Sequence, residues 1–128
     1  MRLVFDVETD GFLNHLTKIH CIAAVNADNP DQTWLFNPGE IEAGVELLQS
    51  AKELIGHNIL AFDIPALEKV YPAFNHTDIL LTDTLVLSRL IHSDLRNEDY
   101  ATPRHADDFP KKMYGSHSLK AWGVRLGI

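Results

Sequence analysis

Leu3-Val4-Phe5-Asp6-Val7-Glu8-Thr9-Asp10-Gly11 is the stretch on which the reading of this chain turns. Three apolar residues in succession, Leu3 to Phe5, predict a strand buried on both faces, because a half-exposed strand would alternate with polar residues. Asp6 and Glu8 are set into that strand two residues apart. At a rise of about 3.3 Å per residue their Cα atoms stand about 6.6 Å apart and their side chains leave the same face. An ionised carboxylate in an apolar strand is costly unless something pairs with it. Two on one face raise each other's pKa. A divalent cation relieves both penalties. The same residues also fit a plainer arrangement, in which Asp6 and Glu8 point into solvent at a strand end and Asp10-Gly11 turns the chain.

Outward from this stretch the pattern first stays at period two. Gly11 to Leu16 reads as a turn or short hairpin connection. Lys18 to Asn26 then puts Ile19, Cys21, Ala23 and Val25 on one face of a second strand. Ala27 to Asp31 is dense in turn formers, and Thr33-Trp34-Leu35-Phe36 is a third strand. Connections this short make the three strands antiparallel neighbours. From Glu40 the period changes: Ile41, Val45 and Leu48 predict a helix over 40–51. Leu54-Ile55-Gly56 is a short strand, His57-Asn58 a polar turn, and 61–70 a helix with Asp63 and Pro65 near its start. Asp78 to Thr82 is a fifth strand. Asp83 can cap a third helix over 84–92, with Leu87, Leu90 and Ile91 as its core face. Ser93 to Gly115, with Pro103 and Pro110, reads as a long polar loop. Ser116 can cap a last helix with Leu119, Trp122 and Leu126 as its inner stripe and Gly127 as its stop. A meander followed by crossovers predicts an α/β fold: a mixed five-stranded sheet, three strands antiparallel and two parallel, flanked by helices.

The 128 residues are most simply one domain, and 45% hydrophobic with 23% charged residues is globular usage. Eighteen acidic against eleven basic residues leave a formal charge of −7, which argues against binding phosphates through a broad basic surface. An acidic site neutralised by metal ions remains compatible with nucleic acid. The single cysteine, Cys21, permits no internal disulfide. The N-terminus enters the first strand without a signal-peptide hydrophobic region, and no apolar run approaches the roughly 18 residues of a membrane span. A soluble, cytoplasmic protein with no membrane partner is expected.

The second acidic candidate is Asp63, in Gly56-His57-Asn58-Ile59-Leu60-Ala61-Phe62-Asp63. Ligands of open α/β sheets gather at the carboxyl ends of strands, where chain order reverses. That position would bring Asp63 near Asp6 and Glu8; a helix cap or first-turn acid is the plainer role. Asp83 reads as a cap.

At these residues the chain resembles a family. Asp6-x-Glu8-Thr9 and Asn58-x3-Phe62-Asp63 are similar to the first two motifs of the DnaQ-like (DEDD) 3′–5′ exonucleases, which have a ribonuclease-H-like fold. The stretches 64–67, 83–93 and 115–127 are further similar to the N-terminal proofreading domain of T7-type (family A) phage DNA polymerases. The resemblance covers essentially the whole chain. It implies two-metal hydrolysis of the 3′-terminal phosphodiester of DNA, with Asp6, Glu8 and Asp63 as catalytic residues holding Mg²⁺ or Mn²⁺. His57, Asn58 and Phe62 would lie at the pocket for the single-stranded 3′ end, and Thr9, Phe12 and Leu13 where the family contacts the terminal nucleotide.

The family's third motif, a Tyr or His followed by an Asp, falls beyond Ile128. Neither Tyr100 with Asp107 nor His105 with Asp108 has its spacing. The expectation is therefore a partial exonuclease domain over 1–128 in a bacterial host or phage-infected cytoplasm, weak or inactive alone. A polymerase domain or separate chain would complete it. The other reading is a non-catalytic remnant binding nucleic-acid ends or a polymerase.

Overall fold

Along β1 (Arg2–Thr9), Leu3, Phe5 and Val7 are buried while Val4, Asp6 and Glu8 stand exposed. The strand is therefore covered on one face only, and Val4, at 41% exposed, overturns the expectation of burial on both. An apolar triplet cannot tell the two cases apart, since Val4 occupies the open face without a polar residue to mark it. The structure, a computed structural model, describes every residue except Pro103 and His105. It gathers the chain into two compact units, Met1–Thr84 and Leu85–Ile128.

The first unit holds the sheet. β2 (Ile19–Asn26) and β3 (Asn29–Phe36) form a hairpin around the two-residue turn Ala27-Asp28, so the third strand begins four residues earlier than its apolar pattern suggested. Pro30 is tolerated there because β3 is an edge strand. β4 (Glu53–Gly56) and β5 (Leu80–Asp83) complete the order β3-β2-β1-β4-β5. β1 pairs antiparallel with β2 and parallel with β4, and β4 parallel with β5. This is the expected mixed five-stranded sheet, with β1 at its centre.

In β2 the expected face is reversed: Ile19, Ile22 and Ala24 are buried, not Cys21, Ala23 and Val25. The cause is a bulge, because Glu8 is paired with Cys21 but Thr9 with Ile19, leaving His20 extra. One extra residue flips every side chain beyond it to the other face. Helices α1 (Ile41–Gln49) and α2 (Asp63–Val70) supply Ile41, Leu48, Ile64 and Leu67 to the cluster built on Leu3, Phe5, Val7 and Ile22. Each such side chain fully removed from water stabilises the fold by roughly 1.5–3 kcal/mol.

The second unit is helical and built around polar anchors. α3 (Thr84–Ile91), α4 (Leu95–Ala101), a 3₁₀ turn (Lys111–Met113) and α5 (Leu119–Leu126) make it up. The stretch 93–115 is thus no continuous loop; α4 escaped the periodic reading because one of its two buried residues, Asp99, is charged. (Pro103 lies outside the described residues.) Asp99, 1% exposed, accepts from Arg125 Nε at 2.8 Å and Nη2 at 2.7 Å, from Arg104 Nη1 at 3.3 Å and from the Gly115 N–H at 2.8 Å. The Arg125 guanidinium lies 5.1 Å from the Phe109 ring centroid and 4.9 Å from that of Trp122. Ser88 accepts from Trp122 Nε1 at 2.7 Å and lies 2.6 Å from His117 Nδ1. Ser118, not Ser116, caps α5 by accepting from the Ala121 N–H, and Gly127 ends it at φ +74°. Most of the expected apolar stripes face outward instead: Leu87, Leu90 and Ile91 on α3 and Leu119 and Leu126 on α5 are exposed, while Trp122 turns in toward Ser88 as expected and Ala121 lies inside.

Arg125 and the Gly115 N–H hold the Asp99 carboxyl below the usual carboxylate range against the opposing effect of burial. A depressed folded pKa contributes stability above the ordinary carboxylate value and loses it as pH falls below that value. Asp99→Asn should leave Arg125 buried without its counter-charge and destabilise the second unit by about 3–5 kcal/mol. Urea unfolding at pH 7, followed by Trp122 fluorescence in a Trp34→Phe background, measures the loss. The difference from wild type should shrink as pH falls below 4.

Candidate active site

Asp6 and Glu8 project from the open face of β1, flanked in register by Ala23 and Cys21 of β2. The face that the sequence pattern assigned to the core is therefore the one that borders the carboxylates. β4 pairs with β1 only as far as Val4, so the Val7 N–H has no ladder partner on that side. Asp63 takes the vacancy. Its Oδ1 accepts from Val7 N at 3.0 Å, which fixes the first residue of α2 against the backbone between Asp6 and Glu8.

Reaching that position requires a tight path from β4 into α2. A Cβ on Gly56 would stand 2.8 Å from the Phe5 carbonyl oxygen, so only glycine fits this approach. Asn58 follows at φ +67°, a left-handed conformation that asparagine tolerates better than most residues. Asp83, 5% exposed at the end of β5, accepts from the Asn58 N–H at 2.9 Å and the Leu60 N–H at 3.0 Å. It clamps the turn that delivers Phe62 and Asp63. This role was hidden in the sequence, where an acid before a helix signals only a cap.

A second connection borders the site from the other side. Asp10 receives the Thr17 N–H at 2.8 Å, the Thr17 hydroxyl and the Lys18 N–H at 3.2 Å, which together hold its carboxyl far below the usual range. Between these ends Phe12 stands 84% exposed. Val7, Glu8, Thr9, Gly11, Phe12, Asn58 and Phe62 line a cleft of about 490 Å³. The structure thus brings Glu8, Thr9, Phe12, Asn58 and Phe62 together, with Asp6 and Asp63 beside them on β1 and α2. Leu13 and His57 are not among the lining residues: the Leu13 carbonyl accepts from Lys69 Nζ, and His57 Nδ1 lies 3.0 Å from Thr84 Oγ1. A groove of similar size between α1 and residues 71–74 lies away from the β1 carboxylates.

Burial pushes the Asp63 carboxyl up to about 6, with the charges of Asp6 and Asp83 adding to it and the Val7 N–H opposing. Partial shielding from water at the sheet surface, then the charge of Glu8, also raises Asp6. No ion pair to Asp6, Glu8 or Asp63 is formed by the described residues. Like charges held together without a counter-charge are the chemistry of a cation site made of hard oxygen donors. The arrangement is open, however: among the described residues no three Asp, Glu, His or Cys side chains close around one point to cage an ion.

Comparison with known proteins agrees with the fold. No family model matches the chain. Over 98% of its length it is 37% identical to the DNA-directed DNA polymerase of Enterobacteria phage T3 and 34% identical to that of Escherichia phage T7. It spans only 19% of each of those polymerases, at their N-terminal ends. Among solved structures, the family B DNA polymerase from the hyperthermophilic archaeon Pyrobaculum calidifontis superimposes with a TM-score of 0.51 at 14% identity, across 94% of this chain and 20% of that one. At that identity the likeness concerns the fold alone. Fold and comparisons together describe an α/β domain of ribonuclease-H-like architecture that is similar to one segment of DNA polymerases. Its particular kinship is with the N-terminal region of the T3 and T7 phage DNA polymerases. Among the described residues no helix is long and apolar enough to cross a membrane.

A carboxyl whose folded pKa is raised stabilises the fold only below its unfolded value and withdraws that contribution as pH rises to the folded one. Asp63→Asn keeps an acceptor for Val7 and removes the buried charge. It should raise stability by up to about 3 kcal/mol at pH 7.5 and by nothing near pH 3.5. Paired urea titrations at the two pH values check this.

Proposed function

We propose that this chain is the 3′–5′ exonuclease, or proofreading, domain of a phage-type DNA polymerase, acting on the single-stranded 3′ end of DNA. The observation that carries the reading is Asp63: a buried carboxylate, raised to about 6, held against the strand that bears Asp6 and Glu8, with no basic side chain to neutralise the three. An acid that costs the fold stability is retained for something else.

In this reading Asp6, Glu8 and Asp63 hold Mg²⁺ or Mn²⁺, which suit hard oxygen donors. Bound cations at such a site activate water and offset charge on the leaving oxygen. The rest is the work of the chain. Phe12 offers a ring to the terminal base, since stacking grips single strands without reading their sequence. Phe62 and Asn58 line the same cleft, as does Thr9, the residue after Glu8 on β1. Hydrolysis adds water across the terminal phosphodiester, breaking the P–O3′ bond. It releases a nucleoside 5′-monophosphate and leaves a shortened strand with a free 3′-hydroxyl. His57 acts indirectly, by bracing the turn through Thr84.

The openness of the carboxylate set supports a second reading, a domain that binds DNA ends or a polymerase partner without cleaving. One measurement separates them. On 5′-labelled single-stranded DNA with Mn²⁺, the 128-residue chain should digest slowly, and loss of one well-placed electrostatic group accounts for roughly 10²–10³ in rate. Joined to or mixed with polymerase polypeptide that supplies a further carboxylate, it should regain 3′–5′ digestion, abolished by Asp6→Ala. Failure of the completed protein to digest, with DNA still bound, establishes the second reading.

A further inference from the structure

The structure assigns to Asp10 and Lys69 the role of positioning residues that fix the 10–17 connection, so that Phe12 stands as a rigid stacking face at the mouth of the cleft. The inference rests on reading that cleft as a DNA-end site.

A phenylalanine 84% exposed is unremarkable alone, because single apolar residues are scattered over most protein surfaces. What distinguishes Phe12 is the segment that carries it. Asp10 closes the base of the loop with three hydrogen bonds from Thr17 and Lys18, and its own N–H donates to the Lys18 carbonyl at 3.3 Å. The Phe12 carbonyl accepts from the N–H groups of His15 and Leu16, both at 2.8 Å, and Leu16 is plugged into the core at 2% exposed. From α2, Lys69 Nζ reaches the Leu13 carbonyl at 2.8 Å, one residue beyond the exposed ring.

The loop is thus held at its base, at its buried plug and next to its tip, while its largest side chain is kept in water. An unordered loop would lose conformational freedom on meeting a ligand, and fixing it beforehand removes that cost from binding. Lys69 also ties the loop to the helix that Asp63 opens, so the ring and the buried carboxylate share one support. Neither Asp10 nor Lys69 lines the cleft.

The test is a double-substitution cycle on the full 128-residue chain. It uses a 5′-fluorescein dT10 oligonucleotide, Mg²⁺ and fluorescence anisotropy. Phe12→Ala should weaken binding roughly 5- to 150-fold, the range for one base–aromatic stack. Asp10→Ala and Lys69→Met should each weaken it roughly 2- to 10-fold, and Lys69→Arg should restore it. In a Phe12→Ala background the same two substitutions should cost nothing further, because they act only through the ring. Amide exchange over residues 11–17 should quicken in Asp10→Ala while β1 and β4 stay protected.

Losses that persist undiminished in the Phe12→Ala background would mean that Lys69 contacts phosphate directly or that Asp10 serves only the fold, and either overturns the proposal. Phe12→Ala with full affinity, or a wild-type chain that does not bind dT10, overturns the DNA-end reading and the proposal with it. Binding that depends on Phe12 but not on Asp10 or Lys69 overturns the proposal alone.

Discussion

The hydrogen bond from the Val7 N–H to the Asp63 carboxylate is the constraint on which the site depends. β4 stops pairing with β1 at Val4, and a central strand cannot leave buried N–H groups unpartnered. A side chain therefore continues what the ladder no longer does. In doing so it locks the start of α2 beside β1 and buries a carboxylate near two others. The bond also lowers the cost of that burial, but not enough to bring Asp63 back to the ordinary carboxylate range.

Several distant features exist to make this contact possible. Gly56 lets the turn pass close to the Phe5 carbonyl, Asn58 adopts the left-handed backbone that reverses the chain, and Asp83 secures two N–H groups of the turn from the neighbouring strand. None of the three is a recognisable chemical motif by itself. All three act on the one short segment that carries Phe62 and Asp63, so a lining residue of the cleft and its buried acid are positioned together.

The second unit solves the opposite problem. Its helices bury polar groups, Ser88 and Asp99, and leave much of their apolar surface outside. The inner arrangement is satisfied throughout, with no buried side-chain polar atom among the described residues lacking a partner. Arg125 makes this workable, because one planar guanidinium can meet a carboxylate edge-on and two aromatic rings with its faces. A buried ion pair of this kind adds less to stability than apolar packing would, while fixing a single arrangement of the helices around it.

How much of this was legible follows from what kind of signal each feature leaves. The sheet, its mixed pairing and the three carboxylates could be read along the chain, because strand alternation, helix period, short connections and the Asp-x-Glu spacing are local. Family resemblance at Asn58, Phe62 and Asp63 extended that reading to the site. What local pattern could not reveal was parity and partnership. The bulge at His20 inverted the face of β2, and Val4 took the open side of β1 with no polar residue to announce it. Asp83 and Asp99 looked like a cap and a loop acid, yet Asp83 accepts from Asn58 and Leu60, 25 and 23 residues away, and Asp99 from Gly115 and Arg125, 16 and 26 residues away. Such residues are chosen by groups brought together only when the chain folds. The sequence by itself determined which elements form and which acids the first strand carries; tertiary structure alone decided which side of each element is inside, and which carboxylates support the fold rather than face the cleft.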